Sequence, residues 1–250
     1  MIETGFLDLG LGEVLFGLSG IMVGGFLRGF LGFGAALLIV PVLSIILTPV
    51  QAIVILMLIE LPNVVYLMPS GLREFDFKSI SVMLLGMLIA VPVGAYALVS
   101  FDPKMMKLVI SVIVLALVAL LASGWKFKGQ VSTRVMLATG IVGGLIHGSA
   151  GMGGPPFVTV LLSRGDDAQR TRANILMTLN CMSVMSAATL FAYGTFTASL
   201  IIASCLSAPF YIAFTAIGSR YFRQAGNEYF RKAALIILAL IALMVIYSNA

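Results

Sequence analysis

Long, nearly uncharged apolar runs alternate along the chain with short tracts rich in lysine and arginine. An apolar helix needs about 20 residues to cross the hydrocarbon core of a bilayer. Two stretches, 11–47 and 135–163, are interrupted by glycine and are predicted to enter the membrane and return as broken hairpins. On the same pattern, single crossings are predicted at 50–69, 79–100, 105–124, 173–193, 197–219 and 232–248.

The composition indicates an integral, all-α membrane protein. Of the 250 residues, 60% are hydrophobic and only 10% are charged, whereas a soluble domain carries about 25% charged residues. Soluble enzymes, nucleic-acid-binding proteins and disordered tails are therefore excluded. The net charge of +5 then reflects basic loops held in the cytoplasm and not a nucleic-acid partner. The acidic N-terminus MIETGFLDLGLGE lacks a basic region and is not expected to be a cleaved signal peptide.

Few residues could hold a metal or form a disulfide. Cys181 and Cys205 both lie in apolar runs without a CxxC spacing, and the chain has a single histidine. Both cysteines are interpreted as small hydrophobic residues, so no metal, disulfide or cofactor is predicted.

The most informative pattern is an internal repeat. The segment GGFLRGFLGFG, from Gly24 to Gly34, returns as GGLIHGSAGMG from Gly143 to Gly153, with five glycines matched at an offset of 119 residues. Such self-similarity indicates a duplicated unit. We therefore predict two diverged copies, residues 1–124 and 132–250, joined by a cytoplasmic linker at 125–131.

These glycines allow two interpretations. The pairs Gly25/Gly29 and Gly144/Gly148 have the small-xxx-small spacing of closely packed membrane helices. The tracts 32–34 and 151–156 are so rich in glycine and proline that a helix is expected to stop there. The apolar runs that follow, Ala35–Leu47 and Phe157–Ser163, are too short to span a membrane alone.

The basic residues predict the topology. Twelve of the fifteen lie in the tracts 70–78, 125–134, 164–172 and 220–232. Placing these tracts in the cytoplasm puts both chain termini outside. Each copy is then a hairpin plus three crossings, and this odd number inserts the second copy upside down. The span count becomes ten if every hairpin arm crosses fully and eight if neighbouring arms merge. Inverted repeats whose broken helices meet near the midplane are typical of secondary transporters.

The breaks carry the candidate chemistry. Arg28 lies in the first break, and His147 occupies the matching position in the second. A charged arginine deep in a bilayer costs roughly 2.5–3.5 kcal/mol on insertion scales, so it needs a partner, a water-filled cavity or an anionic ligand. Helix N-termini at both breaks would add backbone N–H donors for an anion. The predicted substrate-binding glycines are Gly32, Gly34, Gly151, Gly153 and Gly154.

Glu60 is the one acidic residue predicted to lie in the middle of a crossing. It could pair with Arg28 as a structural ion pair, or it could take up and release a proton during transport. Asn63 lies three residues further along the same helical face and is grouped with Glu60 as a coupling residue. Polar lining from the second copy is predicted at Asn174, Thr178 and Asn180.

The segment around Ser149 also suggests an intramembrane hydrolase, because a histidine stands two residues before the serine. We disfavour this reading, since an activated serine needs a base aimed at it and a third group that orients the base.

The duplicated stretches GFLRGFLGFGAALLIVPVL and GIVGGLIHGSAGMGGPPFVTVLL resemble the two halves of the sulfite exporter TauE/SafE family. The resemblance covers essentially the whole chain. It implies a permease of the bacterial cytoplasmic membrane, usually described with about eight spans and linked to sulfite, organosulfonates and related sulfur compounds.

We therefore expect a transporter, not an enzyme, that exports a small sulfur oxyanion or organosulfonate by alternating access coupled to a proton. Its expected partners are the small anion and the lipid bilayer, and the sequence leaves open whether the chain forms a homodimer. An anion channel with the same re-entrant architecture is the alternative. A channel would pass anions down their gradient and would not need Glu60.

Overall fold

The computed structural model describes residues 9–31, 34–72, 75–123, 127 and 131–225. Within these ranges the regular structure is entirely α-helical, as the composition and apolar runs predict. The described helices are α1 (Leu11–Leu31), α2 (Ala35–Ile46), α3 (Pro49–Leu72), α4 (Phe77–Ser100), α5 (Pro103–Ala122), α6 (Thr133–Ala150), α7 (Gly154–Leu162), α8 (Ala168–Ala192) and α9 (Ala198–Ala225).

Both predicted helix breaks are present. α2 starts after Gly34, whose φ of 98° lies in the left-handed region, and α6 ends at Gly151, whose φ is 74°. Glycine adopts this conformation without the penalty that a Cβ brings. The glycines inside α1 and α6 do not interrupt those helices, so the break is confined to the last glycines of each motif.

The arms of each hairpin differ in length. α2 and α7 contain 12 and 9 residues, or about 18 and 14 Å at 1.5 Å per residue, which is too short to cross a core of about 30 Å. α1 contains 21 residues and is long enough to cross by itself. The first hairpin thus consists of one full-length arm and one short arm.

Five described helices are long and apolar enough to cross a membrane: α1, α4, α5, α8 and α9. Four of them contain the predicted crossings at 79–100, 105–124, 173–193 and 197–219, with ends that differ by a few residues. The crossing predicted at 50–69 lies within α3. The apolar part of that helix, Pro49–Val65, is shorter than the five helices named above. The crossing at 232–248 and most of the linker at 125–131 lie outside the described residues.

The helices associate in two glycine-mediated pairs, with α1 packed along α9 and α4 packed along α6. Gly29 of α1 lies against the backbone of Thr215 in α9, so closely that a side chain there would collide with it. Gly148 of α6 lies in the same way against the backbone of Val91 in α4. Gly29 and Gly148 are 119 residues apart in the sequence, and the residues that they contact, Thr215 and Val91, are 124 residues apart.

The reciprocal contacts follow the same two offsets. Gly94 of α4 faces the carbonyl of Leu145 in α6, and Gly218 of α9 faces the carbonyl of Phe26 in α1. Small residues allow helix backbones to approach this closely in membrane proteins. The packing interpretation of the paired glycines is therefore confirmed, and each motif combines helix packing with a helix break.

The two short arms and α3 occupy the centre of the protein. In α2, Ala35 and the run Leu37–Ser44 are buried, and α3 is buried from Gln51 to Met57. A helix that is apolar on all sides belongs in an interior. α3 also packs on α8, so the middle of the fold is formed where these two long helices meet the two breaks.

Candidate anion-binding site

Both breaks open onto one cavity between the central helices. The cavity encloses about 400 Å³ of empty space, its opening included. Arg28 and Gly34 line it from the first break, His147, Gly151 and Gly154 line it from the second, and Glu60 lines it from α3. Six of the residues predicted from sequence to form the site are thus brought together.

The cavity lies midway along the two long central helices. Glu60 is about 17 Å from the Pro49 end of α3 and about 18 Å from its Leu72 end, at 1.5 Å per residue. Met182, which also lines the cavity, lies about 21 Å from the start of α8 and about 15 Å from its end. A ligand in the cavity would therefore be far from both ends of these helices.

Arg28, Glu60 and Tyr211 form a connected polar group at one side of the cavity. Nε of Arg28 lies 3.8 Å from Oε1 of Glu60, and both side chains are almost completely buried. The hydroxyl of Tyr211 donates a hydrogen bond to the same Oε1 atom at 3.2 Å. The ion pair left open by the sequence is therefore present, and it includes a tyrosine that sequence reasoning did not select.

His147 lies on the cavity wall with only 3% of its surface exposed. Neither Nδ1 nor Nε2 has a hydrogen-bond partner among the described residues. Leaving a buried polar atom unpartnered costs about 1–3 kcal/mol, and native structures rarely keep two on one ring without a function. The arrangement suits a ring that receives a partner when a ligand enters.

The two short helices offer different numbers of backbone donors. No side chain caps α2 or α7, so the first N–H groups of each helix lack an intrahelical partner. In α2 these belong to Ala35 and Ala36, which line the cavity. In α7 they are reduced to Gly154, because Pro155 and Pro156 have no N–H.

Two glycines predicted to bind substrate also have structural tasks. The N–H of Gly151 donates to the carbonyl of His147 at 2.7 Å, and this bond closes the end of α6. Gly153 does not line the cavity, and a side chain there would collide with the carbonyl of Gly143 in the neighbouring arm. Gly32 lies outside the described residues.

The comparison with protein families decides the identity of the fold. The family model described as Sulfite exporter TauE/SafE matches residues 16–245, which include both breaks and every side chain of the cavity. The chain belongs to the TauE/SafE family. The resemblance seen in the glycine motifs is thereby confirmed, and so is the expectation of a membrane transport protein and not an enzyme.

A relative in this family is the "Probable sulfite/organosulfonate exporter TauE" of Cupriavidus necator (strain H16). The chain is 23% identical to it over 217 residues, which are 83% of this chain and 84% of the relative. No solved structure matches the chain.

Within this TauE/SafE chain, four predicted polar residues lie away from the cavity lining: Asn63, Asn174, Thr178 and Asn180. Asn174 is completely buried and its Oδ1 accepts a hydrogen bond from the N–H of Asp76 at 3.0 Å, which ties α8 to the start of α4. The side-chain nitrogens of Asn63 and Asn180 and the hydroxyl of Thr178 have no partner among the described residues. Their roles in binding and coupling remain predictions.

The face that α8 turns to the cavity carries other residues. Leu179, Met182 and Ser183 line it, and Ser186 continues the same i, i+3, i+4, i+7 face one turn further. Ser186 is completely buried and its hydroxyl has no partner among the described residues. Sequence reasoning selected amides by residue type and missed these serines, although their helical spacing from Leu179 was available.

The nucleophile considered in the sequence is not activated in this structure. The hydroxyl of Ser149 donates to the backbone carbonyl of Leu145 at 2.8 Å, and neither nitrogen of His147 contacts it. A serine held by its own helix in this way lacks the base that hydrolysis requires.

Proposed function

We propose that this TauE/SafE protein exports sulfite or an organosulfonate across the bacterial cytoplasmic membrane by alternating access coupled to a proton. Arg28 and His147 would bind the anion in the central cavity, with backbone donors from the two breaks. The observation that carries the proposal is that Arg28 and His147, whose ring has no partner within the described ranges, line one cavity midway along α3 and α8.

The chemistry of the cavity suits an oxyanion headgroup. Sulfite and sulfonates both present three oxygens on one sulfur, each able to accept hydrogen bonds. A guanidinium offers a planar fork of donors that matches such oxygens. The N–H groups of Ala35 and Ala36 lie at the positive end of α2, where negative charge is favoured. The name of the Cupriavidus necator relative also refers to sulfite and organosulfonate.

The helix packing supports alternating access. Because α1–α9 and α4–α6 repeat the same close contacts at fixed offsets of 119 and 124 residues, we propose that the two copies are related by a pseudo-twofold axis and inserted in opposite directions. The cavity at the α3–α8 crossing would lie on that axis. Rocking of one pair against the other would expose a fixed site to each side in turn.

The ion pair supports proton coupling through Glu60. Arg28 lies beside Glu60, so an anion bound to Arg28 would compete with the carboxylate for the same cation. Protonation of Glu60 would remove this competition, so anion and proton would cross together and export would follow the outward gradient of the anion. Orientation follows the basic tracts, with both chain termini outside the membrane.

Transport of labelled sulfite into proteoliposomes tests the proposal. Arg28→Ala is expected to lower the initial rate at least tenfold, and Arg28→Lys should recover only part of it, since an ammonium cannot reproduce the fork. His147→Ala serves as a second variant, because it leaves the Arg28–Glu60 pair in place. Undiminished transport in both variants would remove the cavity from the mechanism.

The same vesicles separate a carrier from a channel. A proton-coupled carrier is expected to move sulfite against its gradient when a pH gradient is imposed, at rates too low for resolved single-molecule currents. Unitary anion currents in planar bilayers that persist in Glu60→Gln would instead identify the channel alternative.

A further inference from the structure

Tyr211 is a buried polar residue that neither the sequence analysis nor the proposed transport cycle uses. It lies in α9 with none of its surface exposed, among the largest completely buried side chains. Its hydroxyl donates to Oε1 of Glu60 at 3.2 Å, across 151 residues of sequence. A buried tyrosine hydroxyl needs a partner, and here the partner is the one carboxylate on the cavity wall.

The Glu60 carboxylate lies between two groups that favour its charged form. Tyr211 reaches Oε1 at hydrogen-bonding distance, whereas the Nε–Oε1 contact with Arg28 is 3.8 Å, longer than a hydrogen bond. Tyr211 does not line the cavity, while Arg28 and Glu60 do. A ligand can therefore separate Arg28 from Glu60 without touching the tyrosine.

Helix packing fixes Tyr211 relative to Arg28. A side chain at Gly25 would meet the carbonyl oxygen of Tyr211 at 2.7 Å and its ring at 3.1 Å. Gly25 lies three residues before Arg28. The α1–α9 contact that positions the tyrosine therefore also fixes where Arg28 lies along the helix axis. One contact between α1 and α9 thus positions both groups that approach Oε1 of Glu60.

The group that the repeat makes equivalent to Arg28, Glu60 and Tyr211 cannot do the same. The offset of 124 residues pairs Tyr211 with Met87, which lies against Gly144 as Tyr211 lies against Gly25. A thioether has no proton to donate. The offset of 120 residues that aligns α3 with α8 pairs Glu60 with Asn180, which does not titrate.

From this geometry we propose that Tyr211 is the positioning residue for proton coupling: it holds Glu60 charged beside Arg28 until an anion displaces the carboxylate. The inference rests on the proposed function and assigns coupling to the group of Arg28, Glu60 and Tyr211, without an equivalent at Asn180 and Met87. With the anion on Arg28, Glu60 takes up a proton and remains hydrogen-bonded to Tyr211.

The interpretation of transport rates measured against pH depends on which titratable groups face Glu60. Arg28 faces it from α1, Tyr211 from α9 and His147 across the cavity from α6. α2 and α7 contain no titratable side chain, and α8 presents Leu179, Met182 and Ser183 to the cavity. The pH profile is therefore measured in a His147→Gln background as well, so that a change seen in both backgrounds does not come from the imidazole.

The test compares Tyr211→Phe with Tyr221→Phe in proteoliposomes. Tyr221 lies on the same helix, is 52% exposed and keeps its ring contact with Phe26 when only the hydroxyl is removed. The probe is labelled methanesulfonate, whose charge does not change over the pH range used, with sulfite as the second substrate. Rates are measured against pH, both as net uptake and as exchange at equal concentrations.

Loss of the Tyr211 hydroxyl removes a hydrogen-bond donor from Oε1 of Glu60, and a donor favours the charged form of any carboxylate that it contacts. We expect the pH of half-maximal uptake to move up by about one unit, a tenfold change in proton concentration, while exchange at low pH is retained. Tyr221→Phe should match the wild type. In a Glu60→Gln background the Tyr211 substitution should have no further effect, as a double-mutant cycle requires.

Failure of the inference and failure of the proposed function give different results. A wild type that moves neither probe contradicts the proposed function. A wild type that transports, with coincident profiles for Tyr211→Phe and Tyr221→Phe, overturns the role of Tyr211 alone. Loss of exchange in Tyr211→Phe despite a wild-type elution profile also overturns it, because the hydroxyl would then be needed for binding itself.

Discussion

Arg28 and His147, 119 residues apart in sequence, line the same cavity. They stand at matching positions of a duplicated motif, one with an ion pair to Glu60 and the other with two ring nitrogens that have no partner in the described part of the chain. The two copies of the motif therefore bring different chemistry to one cavity. This difference leads to separate expectations for each residue.

Replacing His147 is expected to weaken substrate binding without lowering the stability of the fold. His147→Ala removes two buried atoms that have no partner among the described residues, so unfolding temperature in detergent should stay the same or rise. Substrate affinity should fall about tenfold or more, the value of a hydrogen bond to a charged ligand. Isothermal titration with sulfite measures the affinity. A lower unfolding temperature with unchanged affinity would assign His147 to structure.

Gly29 is expected to be intolerant of even one methyl group. Gly29→Ala places a Cβ against the backbone of Thr215, and overpacking of this kind costs about 1–3 kcal/mol. Gly12→Ala is the matched control on the same helix, since nothing lies within 4 Å of its Cβ position and alanine favours helix. Thermal unfolding followed by circular dichroism should separate the two variants, and equal midpoints would contradict the close approach.

Gly151 combines a left-handed conformation with a crowded site. Gly151→Ala is expected to cost about 1–2 kcal/mol for its φ of 74°, plus the contact of the new methyl with Leu56 at 3.2 Å. Gly165→Ala has a similar φ of 77° and open space around it, so it carries the conformational cost alone. The larger loss of thermal stability should belong to Gly151→Ala. The reverse order would show that the break is not packed against α3.

Replacing Ser186 tests whether the anion moves along this face of α8 beyond the cavity. Ser186→Ala removes a buried hydroxyl without a partner among the described residues, so stability should be equal or higher, while transport should slow if the anion passes this face of α8. Ser204→Ala provides the opposite case, because that buried hydroxyl donates to the carbonyl of Leu200 at 2.7 Å. Initial rates and unfolding midpoints are compared for both. Full-rate transport in Ser186→Ala places the path elsewhere.

The helices and their breaks could be predicted because their signals are local. An apolar run of fixed length specifies a crossing wherever it occurs, and Gly34 and Gly151 end helices through their own backbone conformation. The full length of α1 was less predictable, since the glycines of the motif that look like helix breakers become acceptable once α9 packs against them.

The composition of the site depended on information that is not local. Arg28, His147 and Glu60 stood out because charged or titratable groups are rare in apolar runs. Ser183 did not, because α8 is largely buried and its sequence gives no polar stripe to mark the cavity face. Tyr211 reaches Glu60 across 151 residues, and nothing around it in α9 distinguishes it from a packing aromatic.

The two prolines at the start of α7 make the walls of the cavity chemically different from one another. They leave that wall with fewer donors than the wall formed by α2 and Arg28, and Met182 extends the apolar side. A sulfonate would thus orient with its oxygens toward Arg28 and its carbon substituent toward Pro155. Lengthening the alkyl chain of the sulfonate would probe the space beside those prolines, and we expect chain-length selectivity to arise at this wall.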